Sequence, residues 1–182
     1  MDIVLRESER LNTTIRSFLA YARPQHFQIA RFDVRRALND GALLLRNSAD
    51  VHERHEILVQ VPETELWYEA DEGQIKQIIW NLATNGLRAM PAGGRLHLIG
   101  AFEPASAGVV LTVRDEGIGI PPEELDGLFQ PFHGSFAQGS GLGLAIVHRI
   151  VSDYNGEIRV SSEPGAGTAV SVHLPARAAV TS

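Results

Sequence analysis

Three short clusters hold most of the side chains that could do chemistry. They are Asn81-Leu82-Ala83-Thr84-Asn85 with Arg88, then Asp115 to Ile120, and then Gly139 to Ile146. Each cluster alone has an ordinary structural explanation: a solvated helix face, an Asp-Glu-Gly turn, or a glycine cap before a helix. Their order along the chain is more specific than any one of them.

The first cluster fits a metal and phosphate site. Asn81, Asn85 and Arg88 lie four and three residues apart in a helical pattern, so they share one helix face. Amide oxygens are suitable hard ligands for Mg²⁺, and an arginine one turn further along can hold phosphate oxygens in a fork.

The other two clusters supply a phosphate cradle and a carboxylate. Gly139, Gly141 and Gly143 lie directly before a helix, where backbone amides and the helix dipole favour anions. The pattern is neither a dinucleotide fingerprint nor a Walker loop. Asp115 follows a strand and precedes two glycines, so its carboxylate is placed among bends that glycine permits. Such a carboxylate can accept a hydrogen bond from an exocyclic amine, for example that of adenine.

Composition excludes several classes of function. The chain has 182 residues, enough for one well-buried core, and it contains no cysteine for disulfides or thiolate metal sites. A net charge of −6 without any Lys/Arg cluster argues against a nucleic-acid partner. No apolar run is long enough to cross a bilayer and no signal peptide is recognised, so we expect a cytoplasmic fragment without membrane contact. A membrane anchor in a longer parent protein stays open.

The N-terminal segment predicts a helix with one narrow apolar stripe, ended by Pro24. The stripe consists of Val4, Leu11, Ile15, Phe18, Leu19 and Ala22. A stripe this narrow is typical of a coiled-coil or bundle seam, and the alternative is a helix packed on its own domain.

The remaining elements must position the three clusters. After a linker through Phe27, Asp33 caps a predicted helix, and Asp71 opens a second one that Pro91 to Gly94 closes. Strands are predicted at His55–Val61, Leu66–Glu69, Leu96–Phe102, Val109–Val113, Glu157–Ser162 and Thr168–Leu174. Further helices are predicted at Pro122–Phe129 and Leu142–Tyr154. The first two strands flank the Pro62 turn, so we expect them to be neighbours, and the last two form a terminal hairpin after the Asn155-Gly156 turn. These patterns predict an α+β two-layer sandwich.

With these motifs in order, the chain resembles the GHKL superfamily of ATP-binding domains, and within it the sensor histidine kinases of the nitrogen-regulation type. Asn81 to Met90 looks like the N box, and Asp115–Ile120 and Gly139–Ile146 look like the two glycine boxes. Phe129 to Phe132 resembles the F box, and Gly165 to Thr168 resembles the last glycine element. The helix ending at Pro24 is similar to the second helix of the dimerisation stalk, so residues 1–24 are assigned to a partial stalk and 25–182 to the catalytic domain.

The resemblance implies a mixed sheet with helices on one face, the Bergerat fold, binding ATP or ADP with Mg²⁺. It implies that Asn85 is the Mg²⁺ ligand, that Asn81 and Arg88 support metal and phosphates, and that Asp115 binds the adenine amine, with Thr168 nearby. The remaining implied nucleotide contacts are Gly117, Gly119, Ile120, Phe132, Gly139, Ser140, Gly141, Leu142 and Gly143. The implied partners are a stalk histidine and a response-regulator receiver domain, and the implied parent is a homodimer.

Two departures limit what the chain is expected to do alone. The family phosphorylates a histidine on the first stalk helix, and none of the seven histidines has that context, so we expect no self-phosphorylation. Phe136 stands where close relatives often carry a lysine, which predicts one phosphate contact fewer.

Two rival functions remain at this point. One is an ATPase of the gyrase branch, which would need a glutamate where Asn81 stands. An amide cannot act as a general base, so phosphoryl transfer fits these residues better than hydrolysis. A degenerate nucleotide-binding module without transfer activity is the other alternative.

Overall fold

A computed structural model describes residues 2–22, 27–131 and 141–177 of the chain. In chain order the helices are α1 (Asp2–Ala22), α2 (Val34–Arg46), α3 (Glu72–Arg88), α4 (Pro122–Leu125) and α5 (Gly143–Asp153). The strands are β1 (Ala30–Asp33), β2 (His55–Gln60), β3 (Trp67–Ala70), β4 (Gly94–Glu103), β5 (Gly108–Asp115), β6 (Glu157–Glu163) and β7 (Gly167–Leu174).

Five strands form one mixed sheet in the order β2-β4-β5-β7-β6. Only the β2–β4 pair is parallel within this sheet, and the chain connects the two strands through β3 and α3, as a parallel pair requires a crossover. The β6–β7 hairpin is antiparallel, as the sequence predicted. The buried side chains of α2, α3 and α5 pack on one face of this sheet, which confirms the predicted two-layer α+β architecture.

Aspartate caps start both of the helices whose starts were predicted from Asp33 and Asp71. Asp33 accepts hydrogen bonds from the backbone N–H of Arg35 and from the Arg35 guanidinium, which lowers the pKa of Asp33 to about 2. Asp71 accepts from the N–H groups of Gly73 and Gln74. These local signals were sufficient because an N-cap acts within its own turn.

The expectation that the strands on either side of Pro62 are neighbours is wrong. β2 pairs with β4, whereas β3 pairs with β1 in a separate two-stranded antiparallel sheet. The reason is that Asp33 also accepts a hydrogen bond from Leu66 N–H at 3.1 Å, while Val34 N–H donates to Leu66 O at 2.8 Å. These bonds hold the start of β3 beside β1, a strand that the sequence analysis does not predict.

The α1 helix confirms the helical prediction for the N-terminal segment and exposes its apolar stripe. The described stripe side chains are all substantially exposed: Val4, Leu11, Ile15, Phe18 and Leu19. Within the described residues, no helix is both long and apolar enough to span a membrane.

Candidate functional site

Helix α3 presents the asparagine cluster. Asn81 and Asn85 are each half-buried, one turn apart on α3, while the intervening Leu82, Ala83 and Thr84 face the core. The Nδ2 atom of Asn81 is buried and has no hydrogen-bond partner among the described residues. A buried donor without an acceptor costs stability, so this amide is suited to a ligand that brings an acceptor oxygen.

The start of α5 lies beside Asn81. A Cβ placed on Gly143 would lie 3.8 Å from the Cβ of Asn81, an ordinary contact distance, so the first residue of α5 packs next to Asn81. Gly141 has a φ of 71°, which favours glycine, and Leu142 is fully buried and fixes the beginning of the helix. The structure therefore brings the predicted N box and the last part of the second glycine box together. Phe132, Gly139 and Ser140 lie outside the described residues.

Asp115 is buried at the end of β5, with 7% of its surface exposed. Its Oδ1 atom accepts a hydrogen bond from Gly117 N–H at 2.9 Å. Burial raises the pKa of Asp115, and the N–H groups of Gly117 and Thr168 offset part of that effect. Gly86 of α3 lies directly opposite, because a Cβ there would approach Asp115 Oδ2 to 3.4 Å and Leu96 Cδ1 to 2.7 Å.

The first glycine box is a tightly bonded bend that joins α3 to the β6–β7 hairpin. Ile118 N–H donates to Ala89 O at 3.0 Å, and Gly165 N–H donates to Ile118 O at 2.7 Å. A Cβ on Gly117 would collide with Ala89 O, and one on Gly119, whose φ is 72°, would collide with Glu163 O. Both glycines are therefore required by close approach of backbone.

Ser162 is a site residue that the sequence reading missed. Its Oγ accepts from Ile120 N–H at 2.8 Å, lies 2.7 Å from Thr168 Oγ1, and lies 3.1 Å from Gly167 O. It thus links the first glycine box to the last one. Ser162 belongs to no motif, and only its register opposite Thr168 in the β6–β7 hairpin could have indicated it.

Arg88 lies in the last turn of α3, where its Nε donates to Asp50 Oδ1 at 3.3 Å. Asp50 follows α2 and was not among the predicted site residues. Both side chains are under one-third exposed, at 29% for Arg88 and 27% for Asp50. The predicted phosphate-binding arginine therefore already has an ionic partner.

The donor set is consistent with Mg²⁺ and a nucleotide. Asn85 offers an amide oxygen of the kind that Mg²⁺ accepts, and one helical turn away Asn81 Nδ2 has no partner in the described part of the chain. At the other end, the buried Asp115 carboxylate and the Thr168 hydroxyl offer acceptors for an amine of a base.

Comparison with known proteins finds one family model and several related kinases. The profile of the family described as "Histidine kinase-, DNA gyrase B-, and HSP90-like ATPase" matches residues 70–178. The chain is 31% identical over 176 residues to sensor histidine kinase ZraS of Escherichia coli, covering 95% of the chain and 37% of ZraS. It is 33% identical over 175 residues to sporulation kinase C of Bacillus subtilis, covering 96% of the chain and 40% of that kinase.

A solved structure shows the same fold over nearly the whole chain. Full-length ShkA in complex with AMPPNP superposes with a TM-score of 0.81 at 28% identity, covering 97% of this chain and 39% of ShkA. The chain thus spans about two fifths of the length of each of these three proteins.

Proposed function

The chain belongs to the family of histidine kinase-, DNA gyrase B- and HSP90-like ATPases, and we propose that it is the ATP-binding catalytic domain of a sensor histidine kinase. The observation that carries the proposal is the pairing of a buried carboxylate, Asp115, with the half-buried asparagines of α3 across one glycine-rich site. The kinase names of the relatives favour this over a module without transfer activity.

In this proposal, adenine lies against Asp115 and Thr168, and the phosphates lie between α3 and the Gly141–Gly143 turn. Asn85 is the Mg²⁺ ligand, and Asn81 donates to a phosphate oxygen through its Nδ2–H, which no described residue accepts. Bound Mg²⁺ would neutralise phosphate charge during transfer. The protein's own contribution is to orient the nucleotide and to supply hydrogen-bond donors at the phosphates.

Phosphoryl transfer to a protein acceptor is favoured over hydrolysis. Asn81 lies at the position where ATPases of the gyrase branch carry a water-activating glutamate. An amide has no basic lone pair for that task. The proposed acceptor is a histidine on a stalk helix outside these 182 residues, and the proposed next acceptor is a response-regulator receiver domain. Residues 1–24 are proposed to be stalk, and the exposed apolar stripe on α1 supports a dimeric parent. The proposed location of this domain is the cytoplasm.

Calorimetric titration tests the nucleotide site. The chain is titrated with ADP and with a non-hydrolysable ATP analogue, each with and without Mg²⁺. We expect adenine-nucleotide binding that Mg²⁺ strengthens. Absence of binding to both nucleotides would overturn the proposal.

A second assay tests transfer. The chain is mixed with a separate stalk fragment that carries the acceptor histidine, with labelled ATP. Label on the stalk histidine is expected, and release of free phosphate at a faster rate than transfer would instead favour an ATPase.

A further inference from the structure

The loop between α2 and β2, residues 47–54, is fastened to the C-terminal end of α3. Asp50 of this loop contacts Arg88 of the helix through an ion pair. Two more hydrogen bonds join residues that adjoin these segments. Gly94 N–H, at the start of β4, donates to Arg54 O at 3.0 Å, and His55 Nε2, at the start of β2, lies 2.8 Å from Met90 O just after α3. The loop that carries the Asp50 carboxylate is therefore held beside Arg88 by hydrogen bonds as well as by the ion pair.

The Arg88–Asp50 contact leaves much of the guanidinium available. It uses Nε and one carboxylate oxygen, and the two terminal nitrogens of Arg88 make no hydrogen bond to the described residues. Arg35 shows the contrast, because its Nε and Nη2 both bind Asp33 and its Nη1 donates to backbone carbonyls. Asp50 thus orients Arg88 while the two terminal nitrogens stay free of hydrogen bonds to the described residues.

A guanidinium with its fork unoccupied suits phosphate. The terminal nitrogens can bind two phosphate oxygens in parallel, while Nε stays on the carboxylate. An arginine side chain without such a partner loses rotamer freedom when it binds, and that loss weakens binding. Asp50 removes part of this cost before the ligand arrives.

We propose that Asp50 is a positioning residue for nucleotide phosphate binding, acting by holding Arg88 through Nε so that its terminal nitrogens meet a phosphate oxygen. This inference rests on the proposed function, because it needs a nucleotide in the α3 site. Asp50 itself does not touch the nucleotide. Its negative charge opposes the phosphates, so the proposal requires the positioning effect to outweigh that repulsion.

The test compares Asp50→Ala with the unmodified protein, using calorimetric titration with AMPPNP and Mg²⁺ and with adenosine. We expect about threefold to tenfold weaker AMPPNP binding, the size of a coupling between contacting side chains. Adenosine affinity should not change, because adenosine has no phosphate. In an Arg88→Gln background, Asp50→Ala should have no further effect on AMPPNP.

Asp40→Ala is the matched control. Asp40 of α2 forms an ion pair with Lys76 of α3, so it also links an acidic side chain to α3, at a more solvent-exposed position. This variant should bind both ligands as the unmodified protein does. Thermal melts of each variant confirm that it is folded, and Asp50→Asn replaces Asp50→Ala if the latter unfolds.

The outcomes are separable. Unchanged or tighter AMPPNP binding by the Asp50 variant overturns the positioning role, as does an equal loss with adenosine or an additive loss with Arg88→Gln. If the unmodified protein binds neither AMPPNP nor adenosine, the proposed function itself has failed.

Discussion

At the Asp115 end of the site, buried polar groups are already bonded to one another, whereas at the Asn81 end a buried amide nitrogen has no partner among the described residues. Asp115, Ser162 and Thr168 are tied to the backbone of the first glycine box and of the β6–β7 hairpin. In contrast, Asn81 and Asn85 are half-buried on a helix surface.

This difference indicates that the two ends of the site bind their parts of a nucleotide in different ways. The end with strand-supported groups is preorganised, so it can read the pattern of donors and acceptors on a base with little reorganisation. At the α3 end, the Asn81 N–H donors have no acceptor among residues that the structure describes, which suits a ligand that brings its own charge and metal. Specificity for the base and affinity for the phosphates are therefore expected to respond to different substitutions.

The largest effect is expected from Asn85→Ala at the phosphate end. Loss of the proposed Mg²⁺ ligand should weaken Mg²⁺-dependent AMPPNP binding by about a hundredfold or more, since metal–phosphate contacts contribute several kcal/mol. Calorimetry with and without Mg²⁺ measures this directly.

Adenosine provides the internal control for Asn85→Ala, because its binding should be retained. Tight Mg²⁺-dependent AMPPNP binding by this variant would show that the metal is held elsewhere. Equal loss of adenosine would show that the two ends are not separable.

Asp115→Ala should act on the opposite end. Removing a charged, buried acceptor for the adenine amine is expected to weaken adenosine by about tenfold to a hundredfold and to abolish the preference for adenine over guanine nucleotides. Competition between ADP and GDP measures that preference. Asp115→Asn serves if the alanine variant does not fold.

Glu116→Ala is the control for Asp115. Glu116 is adjacent in sequence, but its side chain is 42% exposed and paired with Arg95. Its loss should leave base preference unchanged, and a matching loss in both variants would mean that general charge, rather than the Asp115 contact, decides selectivity.

Ser162→Ala should have a smaller effect at the same end. It leaves Ile120 N–H without its acceptor and frees the Thr168 hydroxyl, so we expect about 1–2 kcal/mol lower free energy of unfolding and a severalfold loss in adenosine affinity. Denaturant unfolding and calorimetry measure the two. Ser161→Ala, at the exposed neighbouring position, should change neither the free energy of unfolding nor adenosine affinity. Equal losses in Ser161→Ala and Ser162→Ala would show that the contacts of Ser162 are not the cause.

What the sequence could predict depends on the range of the interaction. Asp33 and Asp71 were identified as caps because each cap bonds N–H groups two or three residues away. Asp115 and the glycines were found because their motif lies within six consecutive residues. The sequence does not predict the roles of Ser162 and Asp50, because the bond of Ser162 to Ile120 and the bond of Asp50 to Arg88 join residues 42 and 38 positions apart, and neither residue belongs to a motif.

The same reasoning explains the strand error. Alternation predicted that β2 and β3 exist, but strand pairing is a tertiary choice. Here it follows from the bonds of Leu66 to Asp33 and Val34, which a periodicity argument does not contain. The family resemblance predicts which motifs form the site and in what order they follow along the chain. The structure identifies the further residues that contact those motifs.

The smallest effect expected is a pH dependence confined to the Asp115 end. Burial raises the pKa of Asp115 above the ordinary value of 3.8. An ionised carboxylate is the stronger acceptor for the adenine amine, so adenosine affinity should be complete above the raised pKa and decline as pH falls through it. Calorimetry of adenosine at successively lower pH measures the decline, and binding should release a proton wherever the Asp115 carboxyl is partly protonated in the free protein. In Asp115→Asn the dependence should disappear, because the titrating group is gone. A dependence that persists in this variant would assign the titration to another group and would weaken the view that the base is read by a buried, preorganised carboxylate.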